Sequence, residues 1–275
     1  MFSHIDLSGL QKSSVFSHAV GLPFFKDRPR LDFKPGLNII VGPNGSGKST
    51  VLRMLAESMC AFQGGVSKVT DQVVSDIGLK RKDKAIDPMG VKVVHDGQPV
   101  IFCDPRQIVG LVGGAFDYDF MDRGVQETMT SGKQSHGQNS MRRANQALAV
   151  LLENKPFPDA SSIKLPEVRE GGSERPEMKV LRERMAASIP MGQPTILFDE
   201  PEANYSLLWQ ARLWDILSNP ERMEKFQIIV ATHSAFALGI PHAHYIEVEP
   251  LFRLEAEALL RMRFSRPMLK PDATS

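Results

Sequence analysis

The chain has 275 residues, 42% of them hydrophobic and 24% charged, the balance of a soluble globular protein with room for one α/β domain and an inserted or appended subdomain. A formal net charge of +1 gives no bulk argument for nucleic-acid or membrane-surface binding, and no run approaches the roughly 18 apolar residues of a membrane span. Cys60 and Cys103 lie far apart with no CxxC spacing, and no basic leader precedes an apolar core at the N-terminus, so a reducing, cytoplasmic setting is expected.

Residues 1–41 are expected to supply strands of an antiparallel lobe, ending in an apolar run, Leu37, Ile39, Ile40 and Val41, that reads as a buried parallel strand. The next nine residues are GPNGSGKST, from Gly42, Pro43, Asn44, Gly45, Ser46 and Gly47 to Lys48, Ser49 and Thr50. Glycines let a loop turn its N–H groups inward, and a helix starting near Lys48 adds its positive end. Lys48 then supplies a mobile charge for β- and γ-phosphates, and the Ser49 hydroxyl a ligand for Mg²⁺. Val51, Leu52 and Leu55 give the helix an apolar face. Phe16, Phe24 and Phe25 precede the loop; each suits an adenine or a core equally well.

Further on, VKVV and PVIF flank Asp96-Gly97, which reads as a hairpin turn, and Gln107 follows the second run. Residues 134–138 read QSHGQ, ahead of Met141, Ala144, Leu148 and Leu151 at helical spacing, so that Ser135 and Gly137 would open a helix and make an anion site. Proline and glycine between 154 and 176 argue for loop, and Glu177–Ala187 for a helix. Ile196, Leu197 and Phe198 form a strand ending in Asp199 and Glu200: the first can hold Mg²⁺, the second can polarise a water. A helix over 206–218 should stop at Asn219-Pro220. Ile228 to Ala231 form another buried strand, ending in Thr232, His233 and Ser234; an imidazole there can reach a γ-phosphate. Basic clusters at 80–84 (KRKDK) and at Arg261, Arg263, Arg266 and Lys270 read as solvated surface, and Leu251–Met262 as an amphipathic helix that could dock on the core, the default, or on a partner.

The order of cradle, Asp-Glu strand end and histidine strand end resembles the ABC ATPase superfamily, whose signature loop, LSGGQ in its usual form, has its counterpart in QSHGQ. Gln134 stands for the usual Leu and His136 for the first Gly. That form, together with PEANYS after Asp199-Glu200 and with ATHS, is similar to the stand-alone SMC-like, RecF-like and OLD-like members rather than to transporter subunits. The resemblance covers about 30–60, 98–153 and 194–250. It implies an α/β fold: a P-loop NTPase core of ABC type with an antiparallel β lobe and a short helical signature lobe. The parts would be an N-terminal lobe with the P-loop over about 1–106, a helical lobe over 107–193, a core over 194–250, and a C-terminal helix and tail over 251–275.

The resemblance further implies ATP and Mg²⁺ as ligands, with Glu200 and His233 catalytic, Gly42–Thr50 around the phosphates, and Ser49, Asp199 and Gln107 at the metal. Ser135, Gly137 and Gln138 would serve the nucleotide of a second copy, giving a homodimer that sandwiches ATP. The output would be a switch for DNA maintenance or anti-phage defence, read by DNA or a separate effector protein. A transporter's nucleotide-binding subunit is the alternative; a small-molecule kinase or a slow ATP-binding module fits less well.

Overall fold

The computed structural model describes residues 1–10, 16–25, 28–59, 61–63, 66–67, 90–96, 98, 100–103, 144–145, 147–155, 194–203 and 205–264. With strands numbered along the chain, β1 (Phe2–Asp6) pairs antiparallel with β2 (Arg30–Asp32) on one side and β6 (Lys92–His95) on the other. The remaining strands are β3 (Leu37–Val41), β4 (Phe62–Gln63), β5 (Val66–Ser67), β7 (Val100–Cys103), β8 (Thr195–Asp199), β9 (Gln227–Thr232) and β10 (His244–Glu247). They form one sheet in the order β10-β3-β9-β8-β7-β4-β5, parallel throughout except for the β4–β5 edge pair. The molecule is therefore α/β, with a parallel core sheet and an antiparallel sheet.

Strands β3, β7, β8 and β9 are buried along their whole length, which is why they read as continuous apolar runs. Their side chains still alternate between two cores. Ile40, Phe102, Leu197, Ile229 and Ala231 meet Val51, Leu52 and Leu55 of α1 (Lys48–Ser58) and Phe2, Ile5 and Leu31 of the antiparallel sheet. Leu37, Ile39, Phe198, Ile228 and Val230 meet Leu148 and Leu151 and, from α2 (Leu207–Leu217), Leu213, Trp214 and Leu217.

Gln227, at the start of β9, joins the two sheets. It accepts from Phe2 N (2.6 Å) and Thr195 Oγ1 (3.1 Å), and donates to Phe2 O (2.8 Å) and Lys34 O (3.0 Å).

Two expectations change. The VKVV and PVIF runs are not a hairpin: β6 edges the antiparallel sheet, and β7 sits between β4 and β8 in the parallel one. Asp96 does turn the chain, its Oδ1 accepting from Gln98 N at 3.0 Å, but the turn carries it from one sheet to the other. The wholly buried β7 needs cover on both faces, which an edge hairpin could not give it. Asn219-Pro220 ends α2 as expected but also starts a helix, α3 (Pro220–Lys225), with Pro at N1 and the Asn219 side chain accepting from Arg222 N.

The C-terminal helix, α4 (Phe252–Phe264), buries no residue fully. Arg253 lies over the Tyr245 ring of β10 at 4.5 Å and pairs with Glu257 at 2.9 Å, while Leu254, Leu259, Met262 and Phe264 stay exposed.

Candidate functional site

Three neighbouring parallel strands, β3, β9 and β8, end at the same edge, because their register sets Val41 beside Thr232 and Asp199 beside Ala231. Whatever follows each strand therefore meets the others, the place where open α/β sheets bind ligands. After β3 comes the 42–50 loop, after β8 Glu200, after β9 His233.

The loop needs glycine at two positions for separate reasons. A Cβ on Gly42 would lie 2.6 Å from Val248 Cβ, and Gly47 holds φ +111° with a would-be Cβ 2.9 Å from Phe25 Cε2. Phe24 N also donates to Ser46 O at 3.2 Å. Phe16 and Phe24 are buried in the core and Phe25 packs against it, and Phe24 and Phe25 support the loop from behind at Gly47. Lys48 is nearly buried; its ammonium donates to Gly42 O (2.9 Å) and Pro43 O (2.8 Å), folding the side chain over the loop. The Ser46 hydroxyl is buried and has no hydrogen-bond partner among the described residues, which fits a donor set aside for an anion.

The Ser49 hydroxyl donates to Asp199 Oδ1 at 2.8 Å. Having given its one proton away, the hydroxyl oxygen keeps lone pairs, so an all-oxygen pair stands beside the loop; these residues fit a hard cation such as Mg²⁺.

Glu200 adopts φ +48°, a left-handed conformation uncommon for a residue with a side chain. Its N–H donates to Ala231 O (2.8 Å), and its carbonyl accepts from Ala203 N (3.0 Å). The turn so held puts Glu200 Oε1 3.4 Å from His233 Nε2.

One cavity of about 830 Å³ is bounded by Asn44 to Thr50, Glu200, His233, His18 and Leu22, with Asp199 buried behind Ser49. Gln107, Ser135, Gly137 and Gln138 lie outside the described residues, as do the 80–84 basic cluster, Arg266 and Lys270.

Sequence reasoning missed His18 and Leu22. His18 lies in a short 3-10 turn, Ser17–Gly21, and Leu22 caps its end just before a second, Pro23–Phe25; neither turn carries a periodic signal. It also missed Glu202, which is buried two residues beyond Glu200. Its Oε1 accepts from the Thr232 hydroxyl and from His233 N (3.2 Å). Burial, and to a smaller degree the neighbouring Glu200 charge, push this carboxyl above its ordinary range, against the opposing hydrogen bonds.

Two family models match the chain. One, described as an AAA domain, covers residues 21–100; the other, described as an AAA domain, putative AbiEii toxin, Type IV TA system, covers residues 141–239. A putative ABC transporter ATP-binding protein of Pyrococcus furiosus is 24% identical over 197 residues, 71% of this chain and 60% of the relative. A second protein of that description, from Geobacter sulfurreducens, is 23% identical over 230 residues, 82% of this chain and 66% of the relative. The chain thus spans less than two thirds of the length of either curated relative. A solved dimeric structure of a bacterial ABC transporter cassette aligns at 17% identity and a TM-score of 0.32, over 80% of this chain and 84% of that one. With its phosphate loop, Asp-Glu strand end and histidine strand end on one sheet edge, and with these matches on both sides of that edge, the chain is similar to the ABC-type P-loop ATPases.

Proposed function

We propose that the chain hydrolyses ATP in a cleft completed by a second copy of itself, and that the cycle of closure and release switches a partner. One observation carries the reading: a phosphate loop and a carboxylate beside an imidazole share a single cavity, and Ser49 of that loop is bonded to Asp199, an oxygen pair suited to Mg²⁺. Hydrolysis needs those parts and little else, because phosphoryl transfer is mostly positioning and charge stabilisation.

In this reading the loop N–H groups, the start of α1 and Lys48 hold the triphosphate. Lys48 exchanges its two carbonyl partners for phosphate oxygens, which bind an ammonium more strongly. Ser49 and Asp199, with Gln107, would hold Mg²⁺, which when bound neutralises charge on the β- and γ-oxygens. Glu200 takes a proton from water as the water oxygen attacks the γ-phosphorus. The bond from γ-phosphorus to the bridging oxygen breaks, and its electron pair leaves with ADP. His233 orients Glu200 and the γ-phosphate. Ser135, Gly137 and Gln138 of one copy would cap the nucleotide held by the other.

His18 and Leu22 are the lining residues that phosphate and metal chemistry leave unused, and they suit a purine's face. If so, His18→Ala raises the KM for ATP several-fold more than it lowers kcat. Equal KM in both proteins removes His18 from the base site.

Phosphate release by the wild type, Glu200→Gln and Lys48→Ala tests the hydrolytic reading. Glu200→Gln should lose about 10²–10⁴-fold in kcat while still binding ATP, the worth of a general base. Lys48→Ala should lose nucleotide binding. Turnover unaffected by Glu200→Gln contradicts the assignment.

The partner reading, DNA maintenance or anti-phage defence through DNA or an effector protein, draws on the SHG-type signature and on the toxin–antitoxin description of the model matched over 141–239. The names of the two relatives favour a second reading, the ATP-binding subunit of a transporter. Recovery from cells in a detergent-stable complex with an integral membrane protein would decide for it. Among the described residues, no helix is long and apolar enough to cross a membrane.

A further inference from the structure

Glu202 is buried, and a buried carboxyl is costly unless bonded. Its bonds run to one place. Oε1 accepts from both the Thr232 hydroxyl and the His233 N–H, while Oε2 has no hydrogen-bond partner among the described residues. The tie then extends: Thr232 Oγ1 accepts from Ser234 N (2.9 Å), Ser234 Oγ lies 3.4 Å from Gln210 Oε1, and Gln210 Nε2 donates to Tyr205 O (3.1 Å). Tyr205 N in turn donates to Glu202 O at 3.0 Å, closing a ring through the turn after β8, the end of β9 and the first turn of α2.

Glu200 precedes this ring in the turn after β8, and His233 is bonded to it at the end of β9, with Glu200 Oε1 3.4 Å from His233 Nε2. Glu200 keeps a left-handed backbone, which persists only where the surroundings hold it. A buried acid adds little stability that a well-packed apolar side chain would not, so its presence here calls for another role.

We propose that Glu202 is a positioning residue for hydrolysis: its carboxyl ties the turn after β8 to the end of β9 and so sets the spacing of Glu200 and His233. The proposal rests on the hydrolytic reading of that pair.

The test measures kcat and KM for ATP in the wild type, Glu202→Gln, Glu202→Met and Thr232→Val, with backbone amide exchange at His233. Glu202→Gln keeps the accepting oxygen. Glu202→Met keeps the volume and loses the acceptor. Thr232→Val removes one donor and stands in should Glu202→Met fail to fold. A misplacement near 1 Å can cost about 10²-fold. Glu202→Met should therefore lose on the order of 10²-fold in kcat and Thr232→Val about tenfold, with KM within about threefold, and Glu202→Gln should stay within about threefold of the wild type. His233 exchange should quicken in Glu202→Met and not in Glu202→Gln.

A kcat for Glu202→Met near that of the wild type overturns the proposal. So does a Glu202→Gln as slow as Glu202→Met, or a KM that rises in step with the loss. A wild type that turns over no ATP instead defeats the hydrolytic reading; the tie is then judged on His233 exchange alone, and unchanged exchange in Glu202→Met overturns it.

Discussion

At the scale of single residues, the site is held by groups that satisfy one another. Lys48 is kept in place by two loop carbonyls, Ser49 by Asp199, and His233 by Glu202 through its backbone and Glu200 through its ring. Glu202 gives this a pH signature. Burial raises its folded pKa above the ordinary 4.5, so the folded state binds the proton more tightly than the unfolded chain. Its contribution to stability is full below pH 4.5 and is lost as pH rises toward the folded value. Glu202→Gln cannot titrate. Its stability relative to the wild type should therefore increase between pH 4.5 and neutrality, measured by urea unfolding at several pH values. A constant difference would mean that the carboxyl is not shifted.

Lys48, Ser49, Asp199, Glu200 and His233 were legible because each follows an apolar strand or a glycine loop, and parallel strands bring such ends together. Glu202 was not, since the donors that define it lie 30 residues away on β9. His18 was not, since only the packing of Phe24, Phe25 and Leu22 behind Gly47 brings its turn to the loop.

At the scale of elements, the parallel strands follow from continuous apolar runs, and α1 and α2 from apolar faces at helical spacing. The failures have physical causes. Period-two patterning says that VKVV is a half-exposed strand but not which sheet it joins. PERMEK has no apolar stripe, so α3 exists through its Asn219 cap and Pro220 rather than through a buried face. Strand β10 is a short edge strand, HYIE, with only Ile246 buried. Gln227 could not be read at all, because its partners on Phe2 and Lys34 come from the far end of the chain. It is the side chain that fastens the antiparallel sheet to the core. Gln227→Ala leaves the Phe2 N–H and O buried with fewer partners, and should cost about 3 kcal/mol, from 1–3 kcal/mol for each buried polar group left unsatisfied. Urea unfolding reads this. A loss under about 1 kcal/mol, that of an ordinary surface change, would mean water replaces the bonds.

At the scale of the whole molecule, one cavity with a phosphate loop at one end opens toward solvent, and exposed Leu207, Leu208 and Trp209 stand on α2 just after the turn that carries Glu200. A closed pair of copies would exclude water from the cleft, and with it strengthen every charge interaction inside. Hydrolysis would then reopen the pair, which gives a partner two shapes to distinguish. The most direct measurement is the solution mass of Glu200→Gln by light scattering, with and without Mg-ATP, beside Lys48→Ala. Expected is a doubling with ATP in Glu200→Gln, where the nucleotide is held and not cleaved, and none in Lys48→Ala. A mass that stays single while bound ATP is demonstrated would contradict it.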